Sequence, residues 1–419
     1  MIKTATKNHV ILYVTRDIER ALGMEPSETY QIIANKTAYA VSIQKKYPDF
    51  VHLVDSDKKD DSLLDTWEIL EYIANHPTEF SIFNVKGQIP HILVFKNISK
   101  IEEICKKNGW TLLNPSSVLA EKIENKMTQV EYLGTLGEKY LPPHALKLTK
   151  DIIWEKKPLV VQWAHSHTGL GTTVINSNDE LKSIKEKFPE RMARVSAFVN
   201  GPSFTMNVTV GAPAETVGVA SHISLGNISY QITGIPQFTE NPFTTIGNDW
   251  SLTHSLLNET EIAFIETMAG EIATKLLADG WKGLFGIDVM RDDELDKIYL
   301  IEINARQPAS TTYESQLQAK NRELGVDGQT IFEAHLGVGA GPIIPINDGS
   351  QIIQRITRLT QSISAKQIDT FKNAGYNTIL YSNTEENEDL LRIQSEMGIM
   401  ETHGRFNKRG KEVLEILSK

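Results

Sequence analysis

The sequence predicts a mixed fold, α/β in its first part and α+β in the rest, over 419 residues. Three observations carry this. Strand and helix signals alternate through residues 1–118, the pattern of a mostly parallel sheet flanked by helices. Residues 119–348 are rich in strand signals and contain two long strands joined by an acidic turn. Residues 349–419 run strand, helix, strand, helix, as a small α+β cap. A chain of this length holds two or three domains with real cores.

In order, "HVILYV" (9–14), "FVHLVD" (50–55) and "HILVFK" (91–96) are apolar runs of strand length. "SLLDTWEILEYIANH" (62–76) and "ISKIEEICKKNG" (98–109) have helical spacing, and Gly109 is a stop signal. "TLLNPSS" reads as a last short strand and turn. One long amphipathic helix is expected over 116–138, broken by "YLPPH" (140–144), which puts a boundary near residue 118. "PLVVQWA" (158–164) is a strand and "HSHTGLGTTV" (165–174) a glycine-bearing turn. In "SNDELKSIKEKF" (177–188), Ser177 or Asn178 can cap a helix by accepting from a free N–H of the first turn. "ARVSAFV", "GPSFTMNVTVG" and "TVGVASHIS" are β-rich, and a long helix covers about 260–279. "GLFGIDVMRDDELDKIYLIEIN" is a hairpin. From about 349, "IIQRITRL", "SAKQIDTFKNAG", "NTILYS" and a charged helix complete the chain, with no internal repeat or low-complexity tract.

The 43 basic and 53 acidic residues give a net charge of −10, which disfavours nucleic acid and membrane surfaces as partners. No apolar run approaches the roughly 18 residues of a membrane span. The N-terminal "MIKTATKNHVILYV" lacks a signal-peptide pattern, so a cytoplasmic location is expected. The single cysteine, Cys105, rules out an internal disulfide or a CxxC pair. It reads as a small apolar residue beside Ile101 and Ile104 rather than a reactive thiol.

The hairpin carries the chemistry. Side chains alternate along a strand, so Ile301, Ile303 and Ala305 share one face, while Leu300, Glu302, Asn304 and Arg306 share the other. The partner strand puts Leu284, Gly286, Asp288 and Met290 on one face, which brings Asp288 near Glu302 and Asn304. Buried carboxylates need a cation or hydrogen-bond donors. Mg²⁺ suits so small a set of oxygen donors, because it completes its shell with water and phosphate. Arg306 could clamp a phosphate or carboxylate. The alternative is an amphipathic hairpin on the surface, with a salt bridge between Glu302 and Arg306.

"GLFGIDVM…YLIEINARQ" resembles the metal-binding hairpin of the ATP-grasp superfamily. "LVVQWAHSHTGLGTTVINSNDEL" is similar to that family's strand, glycine loop and helix, and "RVSAFVNGPSFTMNVTV" to its adenine-receiving hinge and following turn. "SVLAEKIENK" resembles the helix with an early lysine, and the elements stand in family order over roughly 116–340. The resemblance implies a pre-ATP-grasp α/β domain at 1–118 and a two-lobed ATP-grasp domain at 119–348, with a lid at about 153–200.

It also implies roles. Asp288, Glu302 and Asn304 would hold one or two Mg²⁺ ions, or Mn²⁺, on the phosphates of ATP. Arg306 would orient the γ-phosphate or an acyl intermediate, and Lys126 would touch a phosphate. Backbone N–H groups of Thr168, Gly169 and Gly171 would close over the phosphates. Ala197 and Val199 would read adenine through backbone N–H and C=O. Three departures stand out: Gln162 replaces the usual lid lysine, Ser203 the usual ribose glutamate, and no Lys or Arg occurs between residues 195 and 274. Lys156 or Lys157 could stand in for the lid lysine; His222 or His254 could share the missing phosphate contact, although a structural role is favoured for either histidine, or Arg306 and the metals could suffice.

Family members mostly activate a carboxylate as an acyl phosphate for attack by an amine. The expected partners are therefore small carboxylates and amines, with an amino acid or small peptide as the leading substrate. Gln307, Ser310 and Thr311 fall on the acceptor side, with Tyr313 and Glu314 nearby, although Ser310 and Thr311 could equally cap the next helix. A kinase without amine attack and a non-catalytic nucleotide-binding regulator are the alternatives. Residues 349–419 could close the site, form a homodimer contact or cap the core.

Overall fold

The computed structural model describes residues 10–55, 62–80, 89–164, 171–211, 222–239, 241–358 and 360–418. The first part is a five-stranded, all-parallel sheet in the order β3-β2-β1-β4-β5. Its strands are β1 (Ile11–Thr15), β2 (Tyr30–Asn35), β3 (Val51–Val54), β4 (His91–Leu93) and β5 (Thr111–Leu112). The helices between them are α1 (Ala38–Lys46), α2 (Thr66–Asn75) and α3 (Ser99–Asn108). The sequence reading had no assignment for β2 or α1. Gln31 interrupts the apolar run of β2, and α1 fully buries only Ala40 and so shows no clear apolar stripe; its start is held by the Thr37 hydroxyl accepting from Ala40 N–H at 3.1 Å. Gly109 does end α3, at φ 69°.

Alternation splits the β1 side chains between two cores. Leu12 and Val14 pack with Ile69, Leu70 and Ile73 of α2 and Ile101, Ile104 and Cys105 of α3. Ile11 and Tyr13 face the other way, onto Phe332 and Leu336 from much later in the chain.

The expected long helix over 116–138 is three short ones: α4 (Ser117–Glu124), α5 (Lys126–Leu133) and α6 (Thr135–Tyr140). Asn125 leaves helical geometry (ψ 123°) and its side chain caps α5 by accepting from Met127 N–H, and Gly134 takes φ 54°. A four-stranded antiparallel sheet follows in the order β6-β9-β7-β8, with its own small core. It comprises β6 (His144–Leu148), β7 (Leu159–Gln162), β8 (Thr172–Ile175) and β9 (Met192–Ala197), with α7 (Asn178–Lys187) beside it. Ser177 is the cap of α7, accepting from Glu180 N–H at 3.2 Å.

The central sheet, antiparallel throughout, runs β15-β14-β10-β12-β13-β16-β18-β17, with β11 on β10. It is built from β10 (Ser203–Val210), β11 (Ile223–Leu225), β12 (Ser229–Thr233), β13 (Thr245–Asp249), β14 (Gly283–Asp292) and β15 (Lys297–Asn304). A short α8 (Thr253–Leu256) leads into α9 (Glu259–Ala278), which buries Ile265, Met268, Ala269, Ile272, Ala273 and Leu276 along one stripe. After the hairpin come α10 (Thr311–Glu323) and α11 (Ile331–Leu336), the latter carrying Phe332 and Leu336 to the N-terminal sheet.

Residues 349–419 continue this same sheet. β16 (Ser350–Arg355) pairs with β13, then β18 (Asp389–Ser395) with β16 and β17 (Asn377–Leu380) with β18. α12 (Ala365–Asn373), the pair β19 (Met400–Thr402) and β20 (Arg405–Phe406), and α13 (Lys408–Leu417) supply Phe371, Met400, Phe406, Val413 and Ile416 to the main core. Among the described residues no helix is long and apolar enough to cross a membrane.

Candidate active site

A cavity of about 600 Å³ opens where α4 and α5, the four-stranded sheet and the central sheet meet. Its floor is the hairpin, in the expected register. Asp288 lies directly across from Glu302, and Gly286 across from Asn304, with a bulge after Asp288. A Cβ on Gly286 would stand 2.6 Å from Pro308 Cγ, so the close packing of the next turn needs glycine there.

Asp288 accepts from Asn304 Nδ2 at 3.0 Å through Oδ2 and from Gln231 Nε2 at 2.9 Å through Oδ1. Burial, aided by the Glu302 charge, pushes its carboxyl up to about 6. Glu302 pairs with Lys126 Nζ at 2.6 Å. The turn at Asn125 that splits α4 from α5 is what delivers Lys126 to this point. Burial lowers the Lys126 pKa against the pull of Glu302.

Two carboxylates that destabilise each other and an amide whose nitrogen is already committed form an oxygen-donor set that fits Mg²⁺. Among the described residues no group of three or more His, Cys, Asp or Glu could hold a metal. With two carboxylates and one amide oxygen, an ion there would complete its shell with water or ligand oxygens. Asp288, Glu302 and Asn304 are the residues that would hold it.

The surface salt bridge between Glu302 and Arg306 does not form. Arg306 pairs instead with Glu124 of α4, whose second oxygen takes Lys96 Nζ at 2.6 Å. Burial, with Arg20 nearby, brings the Arg306 pKa down to about 10.

Lys126, Gln162, Ala197, Val199, Ser203, Asp288, Glu302, Asn304, Arg306 and Ser310 all line the cavity. Thr168 and Gly169 lie outside the described residues. Gly171 does not line it; its carbonyl accepts from Trp163 N–H at 3.1 Å, one step beyond the Gln162–Thr172 pair of β7 and β8. The Ala197 N–H donates to the Pro143 carbonyl at 2.9 Å, which removes that donor from any ligand. Gln307 turns away from the cavity: Tyr13 donates to its Oε1 at 2.5 Å, and its Nε2 donates to the Arg20 carbonyl at 2.7 Å. Thr311 is buried and donates to Asn207 Oδ1 at 3.1 Å. Ser310 precedes α10 without capping it; its hydroxyl bonds with Asn207 instead. Glu314 also bonds Asn207, from within the core, and Tyr313 packs edge-on against Trp250.

Lys156, Lys157, His222 and His254 are absent from the cavity wall. Among the described residues, the charged and titratable groups that also line it, and that the sequence analysis passed over, are Lys96, Glu121, Glu124, His144, Arg194, Arg355 and His403. Arg194 alone left a usable signal, as an arginine inside the apolar run "ARVSAFV". Arg355 and His403 come from the C-terminal segment, which therefore forms part of the wall.

The ATP-grasp domain family matches residues 123–310. No curated protein matches the chain. Among solved structures, the N5-carboxyaminoimidazole synthetase from Staphylococcus aureus complexed with ADP superposes with a TM-score of 0.64 at 12% identity, over 100% of this chain and 99% of that one. The N5-carboxyaminoimidazole synthase from Aspergillus clavatus, in complex with ADP and 5-aminoimidazole ribonucleotide, gives 0.59 at 13% identity, over 98% and 99%. The L-amino acid ligase from Bacillus licheniformis gives 0.58 at 12% identity, over 98% of each chain. At such identities the likeness is one of fold.

Proposed function

From the premise that residues 123–310 form an ATP-grasp domain, we propose that this chain is an ADP-forming carboxylate–amine ligase acting on an amino acid or small peptide. The observation that carries the reading is the convergence of Asp288, Glu302, Asn304, Lys126 and Arg306 on one cavity. Phosphoryl transfer needs little covalent chemistry from a protein; it needs in-line positioning and cations where negative charge spreads.

A bound Mg²⁺ supplies charge neutralisation on the phosphate oxygens. The chain's own residues do the rest. Lys126 and Arg306 line the cavity as donors for phosphate oxygens, and each is held in place by a carboxylate, Glu302 and Glu124. A substrate carboxylate oxygen attacks the γ-phosphorus, the bond to the ADP oxygen breaks, and an acyl phosphate forms. The amine then attacks the acyl carbon, phosphate leaves and the nitrogen loses a proton. The ATP-grasp match and the fold shared with an L-amino acid ligase support this class of reaction. Because that likeness is of fold, the acceptor is left to experiment.

The test is a panel of amino acids, dipeptides and other carboxylates paired with amines, 5-aminoimidazole ribonucleotide included, read by ADP release and by the mass of the product. Glu302→Gln is the control: it removes one metal-binding charge and leaves Lys126 without its partner, so ADP formation should fall by at least about 100-fold while the protein stays folded. Unchanged turnover would refute the metal assignment. Release of ADP without a ligated product, with a hydroxamate on adding hydroxylamine, would indicate an acyl kinase. Nucleotide binding with no ADP release across the panel would indicate a regulator.

A further inference from the structure

One buried cation in the cavity forms no direct ion pair among the described residues. Arg194 on β9 is directly opposite Gln162 on β7, is 4% exposed and lines the cavity. Its acceptors are all neutral. Nε and Nη2 donate to Gln162 Oε1 at 2.9 and 2.6 Å, Nη1 donates to Gln129 Oε1 at 3.2 Å, and Nη2 donates to the Ile301 carbonyl at 3.1 Å. A guanidinium carries five N–H groups. Four are used here, and the second N–H of Nη1 has no acceptor among the described residues.

The neighbouring cations differ. Lys126 is paired with Glu302, and Arg306 and Lys96 share Glu124. Arg194 forms no ion pair among the described residues. Burial brings its pKa only down to about 10, so the charge persists at neutral pH. Burial disfavours this charge, its direct partners are all dipoles, and only the Glu302 carboxylate, already paired with Lys126, offsets the cost from a distance. The amides that hold it are themselves fixed: Gln162 Nε2 donates to Thr172 Oγ1 at 3.2 Å and Gln129 Nε2 to the Ile123 carbonyl at 2.8 Å. Both amide oxygens are thereby aimed at the guanidinium, which is set in place before any ligand arrives.

We propose that Arg194, held by Gln162 and Gln129, is the phosphate-binding cation on this wall of the cavity and pairs with the anionic chain of a nucleoside di- or triphosphate. The inference rests on the nucleotide reading above and adds to it a residue outside the hairpin. It also accounts for Gln162: an uncharged amide there serves as the cradle for a cation on the adjacent strand. A planar guanidinium suits phosphate oxygens because it can offer parallel N–H groups.

The test is calorimetric titration of the full chain with ADP and with adenosine, for the wild type, Arg194→Gln and Arg194→Lys. Arg194→Gln should weaken ADP by about 10- to 100-fold, the worth of a charge-assisted contact, and leave adenosine within about twofold. Arg194→Lys, which keeps the charge without the fork, should fall between. The ligand-free Arg194→Gln protein loses the donors to Gln162 and Gln129 and should melt somewhat lower than the wild type, while the melting shift on adding ADP shrinks. ADP binding within twofold of the wild type in Arg194→Gln would overturn the assignment, as would equal weakening of ADP and adenosine. A wild type that binds no ADP would overturn the nucleotide reading itself, and so the two failures are distinct.

Discussion

Replacing Glu314 tests how the wall of the cavity is held. This carboxylate is fully buried and receives four hydrogen bonds: Asn227 N–H at 2.6 Å, Asn227 Nδ2 at 3.2 Å, Gln318 Nε2 at 3.3 Å and Asn207 Nδ2 at 2.5 Å. Asn207 in turn bonds the hydroxyls of Ser310, which lines the cavity, and Thr311. Burial outweighs these donors and pushes the Glu314 pKa up from 4.5 to about 7.

The sign follows from linkage. A folded-state value above the unfolded one means the native protein binds more protons between those two pH values. Stability therefore falls as pH rises from about 4.5 to about 7, and is flat beyond. Between pH 5 and pH 8 the loss from this one group is about 2–3 kcal/mol. Glu314→Gln removes the titration, so the stability difference between wild type and variant should shift by that amount, in favour of the variant, between the two pH values. Urea unfolding of both proteins at pH 5 and pH 8 measures it. Working with the difference cancels the titration of every other group. A difference that stays constant across this range would refute the reasoning, and would mean that the four donors keep the carboxylate ionised in the folded protein.

Two further changes probe how the parts are joined. Gly247→Ala puts a Cβ 2.1 Å from the Gln351 carbonyl, where β13 meets β16. It should cost about 1–3 kcal/mol or more by separating the C-terminal strands from the sheet, read as a lower denaturation midpoint and faster proteolysis beyond residue 349. Tyr13→Phe leaves Gln307 Oε1 without its donor and should cost about 1–3 kcal/mol in thermal unfolding, with ADP affinity unchanged, because neither residue lines the cavity.

Much of the site was legible because its signals are local. Strand alternation alone placed Asp288, Glu302 and Asn304 on one face, and the hairpin forms in that register because its two strands are adjacent in sequence. The α7 cap and the α3 stop were legible for the same reason, since each is decided within a few residues. The break at Asn125 was not legible: "EKIENKM" reads as continuous helix, and only the side-chain cap on Met127 N–H shows that a second helix begins there.

What the sequence by itself determined is the chemistry available on the hairpin, because side-chain direction along a strand follows from its period of two. What only the tertiary structure decided is which charge neutralises which. Lys126 takes Glu302, Arg306 takes Glu124 and Arg194 takes no carboxylate. Those partners come from segments far apart in the chain, and the C-terminal strands joined the central sheet by pairing β16 with β13 across about 100 residues. Such pairings depend on which surfaces are buried together, and neither periodicity nor composition encodes that.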